Sequence, residues 1–302
     1  MKLEFTNGDV YEFNGFEFLQ YWNRTSFEIE KKQIPREFAI QEFEHPFVMP
    51  KLHNSFDVEF PNIIGTKPKV AVLRAEGTNG ESEMAAFAES GGFQTIDMNM
   101  KDLLSGKATL REIKGILLPG GFSFADVFGA GKGWAGMVKF NPKLKEEFDR
   151  FYNREDTFSF GVCNGAQTLL HMGWIFQDLP EDLQPVFAPN NSGRFEHRWS
   201  AVRIPKSPSI MMSNMEGEIA GIFCAHGEGK FNASRNAVDE VRERGLVCMQ
   251  LVDNNGNPTE QYPYNQNGSP FGITGICSPN GRHTAMMPHP ERCFLNWQTP
   301  YL

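Results

Sequence analysis

The sequence predicts an α/β fold in which a central, mostly parallel sheet is flanked by helices, and three observations point there. Short runs that are apolar on both faces, at residues 69–74, 115–121 and 158–162, recur along the chain, as strands buried between helices require. Amphipathic stretches with helical spacing separate them. The chain has 302 residues, 40% of them hydrophobic, which suffices to bury a full core without disulfide or metal staples.

Taken in order, the first sixty residues differ from the rest. Asn7-Gly8 between residues 2–6 and 9–13 favours a two-residue hairpin turn. Thr25-Ser26-Phe27-Glu28 has capping-box spacing and predicts a short helix starting there and running to Ile34, ahead of Pro35. From Pro35 to Pro61, Pro35, Pro46, Pro50 and Pro61 interrupt the text, which predicts an extended strap lying on another surface. Residues 1–62 therefore read as a connector of hairpin, helix and strap, and residues 63–302 as the main domain. There, a strand at 69–74 is followed by a helix at 81–91 with Met84, Phe87 and Ala88 at helical spacing. After the run at 115–121, Asn141 caps a helix that has Pro142 in first position and Leu144, Phe148, Phe151 and Tyr152 on one stripe. A strand at 158–162 leads into a helix at 164–172, ended by Gly173. Strand-like text follows at 200–204, 219–224, 246–252, 272–277 and 283–287, with one helix capped by Ser234 and closed by Gly245. Residues 253–270, dense in Asn, Gly and Pro, predict a long loop of the functional or partner-facing kind.

Charge and cysteine usage narrow the function classes. The 29 basic and 37 acidic residues give a net charge of −8, which argues against nucleic acid or an anionic membrane gripped by a basic face. A small-molecule substrate or a protein partner is left. No stretch approaches the roughly 18 apolar residues of a membrane helix, and residues 1–5 lack a signal-peptide run, so a cytoplasmic setting is expected. Five cysteines with no C-x-x-C pair indicate neither a disulfide framework nor a zinc ribbon, and no metal or cofactor is expected in this chain.

The sharpest chemical signal is Gly161-Val162-Cys163-Asn164-Gly165, a G-x-C-x-G between an expected strand and an expected helix. That is the form of a nucleophile elbow, whose strained turn demands small neighbours and projects the sulfur at a helix N-terminus. The Asn164 N–H can face an oxyanion, and Gly120-Gly121 can supply a second donor. A nucleophilic cysteine needs a base with an orienting carboxylate, and His289-Pro290-Glu291 offers both two residues apart in what reads as an extended segment. His226, with Glu228 after a flexible glycine, is the competitor for base or for a ligand or interface role. Gly129-Ala130-Gly131-Lys132-Gly133 fails as a P-loop, because Gly133 stands where Ser or Thr should hold magnesium, and reads as a glycine-rich loop near the cleft.

These residues resemble the class I glutamine amidotransferases, and within them the glutaminase domain of large-form phosphoribosylformylglycinamidine synthases. The resemblance rests on residues 119–126, 161–167, 191–196, 225–229, 256–263, 267–270 and 287–292 and spans about 67–297. It implies a flavodoxin-like class I fold. It also implies that Cys163 attacks the amide of L-glutamine, His289 moves protons, Glu291 orients His289, Gly121 and Asn164 bind the oxyanion, and Gln167 contacts substrate. Ammonia would pass to a synthetase subunit or domain that uses ATP and Mg to aminate formylglycinamide ribonucleotide. Phe124 stands where the family usually has Tyr, which leaves the triad intact. The synthetase is absent from this chain, which reads as either a separate subunit or part of a longer protein. The N-terminal hairpin and strap, with the 253–270 loop, are the expected docking face. Two other readings stand beside this one: a weakly active module that supports a partner, and a cysteine hydrolase of another small amide.

Overall fold

The computed structural model describes residues 2–12, 14–45, 48–52, 65–180 and 183–300. The N-terminal hairpin pairs β1 (Lys2–Glu4) with β2 (Val10–Glu12) antiparallel as expected, but its turn is one residue longer than the two-residue turn Asn7-Gly8 favours: Phe5 N–H donates to the Asp9 carbonyl, and Thr6, Asn7 and Gly8, the last at φ +88°, close it. The next two elements differ from expectation. Helix α1 (Gly15–Glu30) starts at Asn14, whose side chain accepts the Phe16 N–H, so Thr25 to Glu28 lies roughly three turns inside it. The same three-residue spacing occurs wherever Thr and Glu share a helix face, which is why it misled. Helix α2 (Arg36–Glu44) occupies the first part of the expected strap; Pro35 sits at its N-cap, where a missing N–H costs nothing. The remainder of the strap, 53–64, lies outside the described residues.

Strand and helix then alternate through β3 (Lys69–Arg74), α3 (Glu81–Ser90), β4 (Gln94–Asn99), α4 (Met100–Ser105), β5 (Gly115–Leu118), α5 (Lys132–Phe140), α6 (Pro142–Asn153), β6 (Phe158–Val162) and α7 (Asn164–His171). The later part supplies β7 (Val186–Ala188), β8 (Glu196–Arg203), β9 (Ile219–His226), β10 (Lys230–Asn232), α8 (Arg235–Glu243), β11 (Val247–Leu251), β12 (Ile273–Cys277) and β13 (His283–Met286). Among the described residues, nine strands form one sheet in the order β4-β3-β5-β6-β13-β12-β11-β8-β9. The first five run parallel, and β12, β11, β8 and β9 extend the sheet antiparallel. A two-stranded sheet pairs β7 with β10.

The parallel part positions the chemistry. β5, β6 and β13 are neighbours running the same way, with Leu118 opposite Gly161 and Val162 opposite Met286, so the segments that follow them emerge at one sheet edge. In open α/β sheets that edge is where ligands bind. Leu118, Val162, Ala285 and Met286 are fully buried beneath it, and the first seven residues of α7 are all buried. As expected, Asn141 caps α6 through the Lys143 and Leu144 N–H groups, and Ser234 caps α8. Segment 129–133 is only partly a loop: Gly129 and Gly131 take φ +103° and +78°, but Gly133 already belongs to α5. Residues 253–270 form a loop, yet Asn265, Gln266, Asn267 and Ser269 are at most 1% exposed. Only its earlier part can therefore meet a partner. No described helix is long and apolar enough to cross a membrane.

Candidate active site

Cys163 joins β6 to α7 with φ +52° and ψ −111°, a left-handed conformation that a non-glycine residue holds only when its surroundings enforce it. Those surroundings require both flanking glycines. A Cβ on Gly161 would lie 2.7 Å from the Gly165 carbonyl oxygen and from Leu169 Cδ1, and one on Gly165 would overlap the Leu118 carbonyl. The Cys163 N–H is tied to the Met286 carbonyl at 2.9 Å, and its Sγ lies 3.7 Å from the Ala225 carbonyl oxygen. The sulfur thus sits where β6, β13 and β9 meet.

His289 follows β13, and its N–H donates to the Phe223 carbonyl of β9 at 2.8 Å. Its Nδ1 donates to Glu291 Oε1 at 2.6 Å, with both side chains essentially buried. His289 opens, and Glu291 lies within, the tight turn Pro290–Arg292, where an extended segment was expected. Gly120 shows how close the groups are: a Cβ there would stand 2.9 Å from His289 Cε1 and 3.4 Å from Cys163 Cβ. Burial alone pulls the imidazole down, but Cys163 and Glu291 outweigh it and carry its pKa up to about 9. His289 Nε2 is buried without a hydrogen bond of normal geometry, although Cys163 is near enough to act on the ring's charge.

The glycine pair and Asn164 meet at the same place. Gly121 takes φ +126° against the 77–79 loop, where a Cβ would lie 2.5 Å from the Gly77 carbonyl oxygen. The contact between the two loops is carried by Asn79 N–H to Gly120 O at 2.9 Å and Phe122 N–H to Gly77 O at 2.8 Å, which leaves the Gly121 N–H out of it. The Asn164 N–H opens α7 and is one of the first donors, which have no acceptor within the helix. The Asn164 side chain clamps the two segments: Oδ1 accepts from Ser123 N–H at 3.3 Å, and Nδ2 lies 3.4 Å from Asp126 and 3.2 Å from Gln167 Oε1. Gln167 Nε2 in turn donates to the Glu228 carbonyl at 2.7 Å.

His226 is placed otherwise than the sequence suggested. It is buried, with Nε2 at 2.5 Å from Asn267 Oδ1, so it presents no surface to a partner. Burial pushes its pKa down to about 4 against the Asn267 bond, leaving the ring neutral near pH 7. Its role is architectural: Asn190 Nδ2 holds the His226 carbonyl at 2.7 Å, and Asn190 Oδ1 accepts the Gly229 N–H at 3.0 Å. Glu228 reaches back to accept the Ala130 N–H at 3.3 Å.

Comparison with known proteins fits this geometry. Residues 67–302 match the family model of the CobB/CobQ-like glutamine amidotransferase domain. The chain belongs to the glutamine amidotransferases. This amidotransferase is 43% identical over 296 residues to an Arabidopsis thaliana protein named probable phosphoribosylformylglycinamidine synthase, chloroplastic/mitochondrial, covering 93% of this chain and 21% of that one. It is also 43% identical over 298 residues to the Homo sapiens phosphoribosylformylglycinamidine synthase, covering 92% and 22%. The chain thus spans about a fifth of the length of these curated relatives. Among solved structures, PurLQS from Thermotoga maritima shares the fold with a TM-score of 0.58 at 24% identity, over 77% of this chain and 92% of that one.

One part of the amidotransferase escaped the sequence analysis. Arg194 pairs with Glu30 of α1 at 2.6 Å, and Arg198 forks onto both oxygens of Glu42 of α2 at 2.7 and 2.9 Å. Both arginines also hold Glu196, which is 1% exposed, and both donate to the Tyr262 hydroxyl. Burial would raise the Glu196 carboxyl, but the Arg198 and Arg194 charges outweigh it and hold it below its ordinary value of 4.5. Residues 191–196 and 256–263 had carried family resemblance with no chemistry attached; here they grip the N-terminal helices. Complementary charges 156 and 164 residues apart in sequence leave no local signal.

Proposed function

We propose that this amidotransferase hydrolyses L-glutamine through a Cys163, His289, Glu291 triad and passes ammonia to an ATP- and Mg-dependent synthetase region. The Cys163 sulfur attacks the side-chain amide carbon as thiolate, and the carbonyl oxygen becomes an oxyanion facing the Gly121 and Asn164 N–H groups. His289, charged at neutral pH, gives its proton to the leaving nitrogen as the C–N bond breaks; ammonia departs and a glutamyl thioester remains. His289 then takes a proton from water, which attacks the thioester and releases glutamate and the thiol. Glu291 keeps the imidazole oriented and its charged form stable throughout.

The observation that carries this reading is the buried His289–Glu291 pair wedged against Cys163 at a glycine that leaves no room for a Cβ. The acceptor reading rests on the names of the relatives, phosphoribosylformylglycinamidine synthases of which this chain spans about a fifth: on this reading formylglycinamide ribonucleotide is the acceptor and is aminated outside this domain. The exposed Phe18, Tyr21 and Trp22 of α1 offer it an apolar surface. Two experiments test these steps. An electrophilic glutamine analogue should modify Cys163 selectively, mapped by peptide mass spectrometry; labelling of another cysteine would reject the triad. Removal of residues 1–60 should abolish assembly with a purified synthetase; unchanged assembly would reject that docking face.

A further inference from the structure

We infer, resting on the glutaminase reading, that Arg292 is a positioning residue for the triad: its guanidinium shares the Glu291 carboxylate with His289 and so governs how readily the imidazolium yields its proton to the leaving nitrogen.

Glu291 is fully buried, and its two oxygens are unequally served. Oε2 has no hydrogen-bond partner, so compensation of the buried charge falls on the neighbours of Oε1. His289 Nδ1 takes the near position at 2.6 Å, while Arg292 Nε stands at 3.7 Å, in ion-pair range but beyond a hydrogen bond. Among the described residues these two supply the positive charge within salt-bridge distance of the carboxylate. The guanidinium is seated at Gly80, the N-cap of α3, where a Cβ would lie 3.7 Å from Arg292 Nη2 and 3.9 Å from Glu291 Oε1. Gly80 adjoins the loop whose Asn79 N–H braces Gly120. The catalytic turn itself does not depend on the guanidinium. The Arg292 N–H donates to the His289 carbonyl at 3.3 Å, and Cys293 Sγ reaches the His289 and Pro290 carbonyls at 3.5 and 3.7 Å.

The Arg292 charge matters most once the imidazolium has given its proton away. His289 then no longer neutralises Glu291, and a buried carboxylate without a cation would draw the proton back. Arg292 stays charged throughout and takes over the compensation. The other ionisable groups facing the pair cannot replace it. Burial pushes His226 down to about 4 and the Cys293 thiol up to about 11, so both are neutral near pH 7. Cys163 is an acid, as is Glu83 of α3, whose Oε2 comes within 4.0 Å of the Gly80 Cβ position.

The test compares Arg292→Met and Arg292→Gln, which remove the charge, with Arg292→Lys, which keeps it; at 29% exposure the side chain can be exchanged without opening the core. In a Cys163→Ser background, nitrogen NMR follows titration of the His289 ring, its signal assigned by loss in His289→Gln. Removing the cation should raise the midpoint by roughly half a unit, whereas loss of a mere brace would loosen the bond to Glu291 and lower it. Arg292→Lys should keep the wild-type midpoint. In glutamate release, the neutral variants should lose about fivefold in kcat with KM within about twofold of wild type, and Arg292→Lys should restore most of the loss. An unchanged or lowered midpoint in both neutral variants overturns the inference, as does a raised midpoint with unchanged kcat. Midpoints that move as expected in a chain that neither releases glutamate nor labels at Cys163 would instead overturn the glutaminase reading and leave the charge sharing in place.

Discussion

Around Cys163 the chain is held by packing: Gly161, Gly165 and Gly120 each exclude a Cβ, and α7 is buried along seven of its eight residues. Along α1, by contrast, no residue is buried, and the helix is fixed through Phe27 stacked on Phe43 at 4.2 Å and through Glu30 paired with Arg194. One region is rigid because displaced atoms have nowhere to go, the other because complementary charges meet around a buried carboxylate. The difference teaches where each should fail. Close packing tolerates no added volume at any pH, whereas an ion cluster answers to protonation and to loss of a single partner.

The largest effect is expected from Gly165→Ala. The added methyl would overlap the Leu118 carbonyl, backbone that cannot yield cheaply, and the elbow should open at a cost of about 3 kcal/mol or more, with loss of activity. Thermal denaturation and a glutaminase assay measure it; a melting temperature within a degree of wild type would contradict the packing account. Next, Arg198→Met leaves Glu196 to Arg194 and Tyr262 alone and unties Glu42, and should cost about 2 kcal/mol, expressed first as opening of α2 and of α1 packed on it. Hydrogen exchange should show these helices losing protection while β5 and β6 keep theirs. Uniform loss across the chain would erase the distinction between the regions.

Two pH predictions sharpen the contrast, because the shifts have opposite signs. His289 is raised to about 9, so its stabilisation is complete below its ordinary value of 6.5 and fades as pH rises through about 9. Glu196 is lowered, so its stabilisation is present above 4.5 and is lost as pH falls below that. Acid should therefore release the N-terminal helices first, and alkali should weaken the active-site pair first. Glu291→Gln should move the alkaline limb of the stability profile to lower pH and leave the acid limb in place. The smallest effect is expected from Trp22→Ser. At 75% exposure this residue should change stability by less than about 0.5 kcal/mol, so an effect on synthetase assembly would be read without a folding artefact.

How much of this was legible in the sequence follows the same division. The elbow, α6 and α8 rest on signals a few residues apart: the paired glycines, Asn141-Pro142 and Ser234. His289 and Glu291 were legible for a similar reason, though in a turn where an extended strand was expected. What brings them to Cys163 was not legible, because β13 pairs with β6 from more than a hundred residues away and strand text does not declare its neighbour. Helix α5 was hidden by Gly133 and Gly136, which weaken local helix preference but lie in a helix covered by its surroundings. His226 looked chemical in its glycine setting; of those glycines Gly229 packs on the ring, where a Cβ would overlap it, and Asn267, which bonds the ring's Nε2, lies 41 residues away. The ion cluster holding α1 and α2 was invisible for the same reason of distance.

Glutamate release from L-glutamine by the purified chain, wild type beside Cys163→Ser, with and without a synthetase, its nucleotide substrate and Mg-ATP, tests the central claim most directly. The triad account predicts release that vanishes with Cys163→Ser and rises with the synthetase. Equal release by both proteins, or none from a folded wild-type chain under either condition, would contradict it.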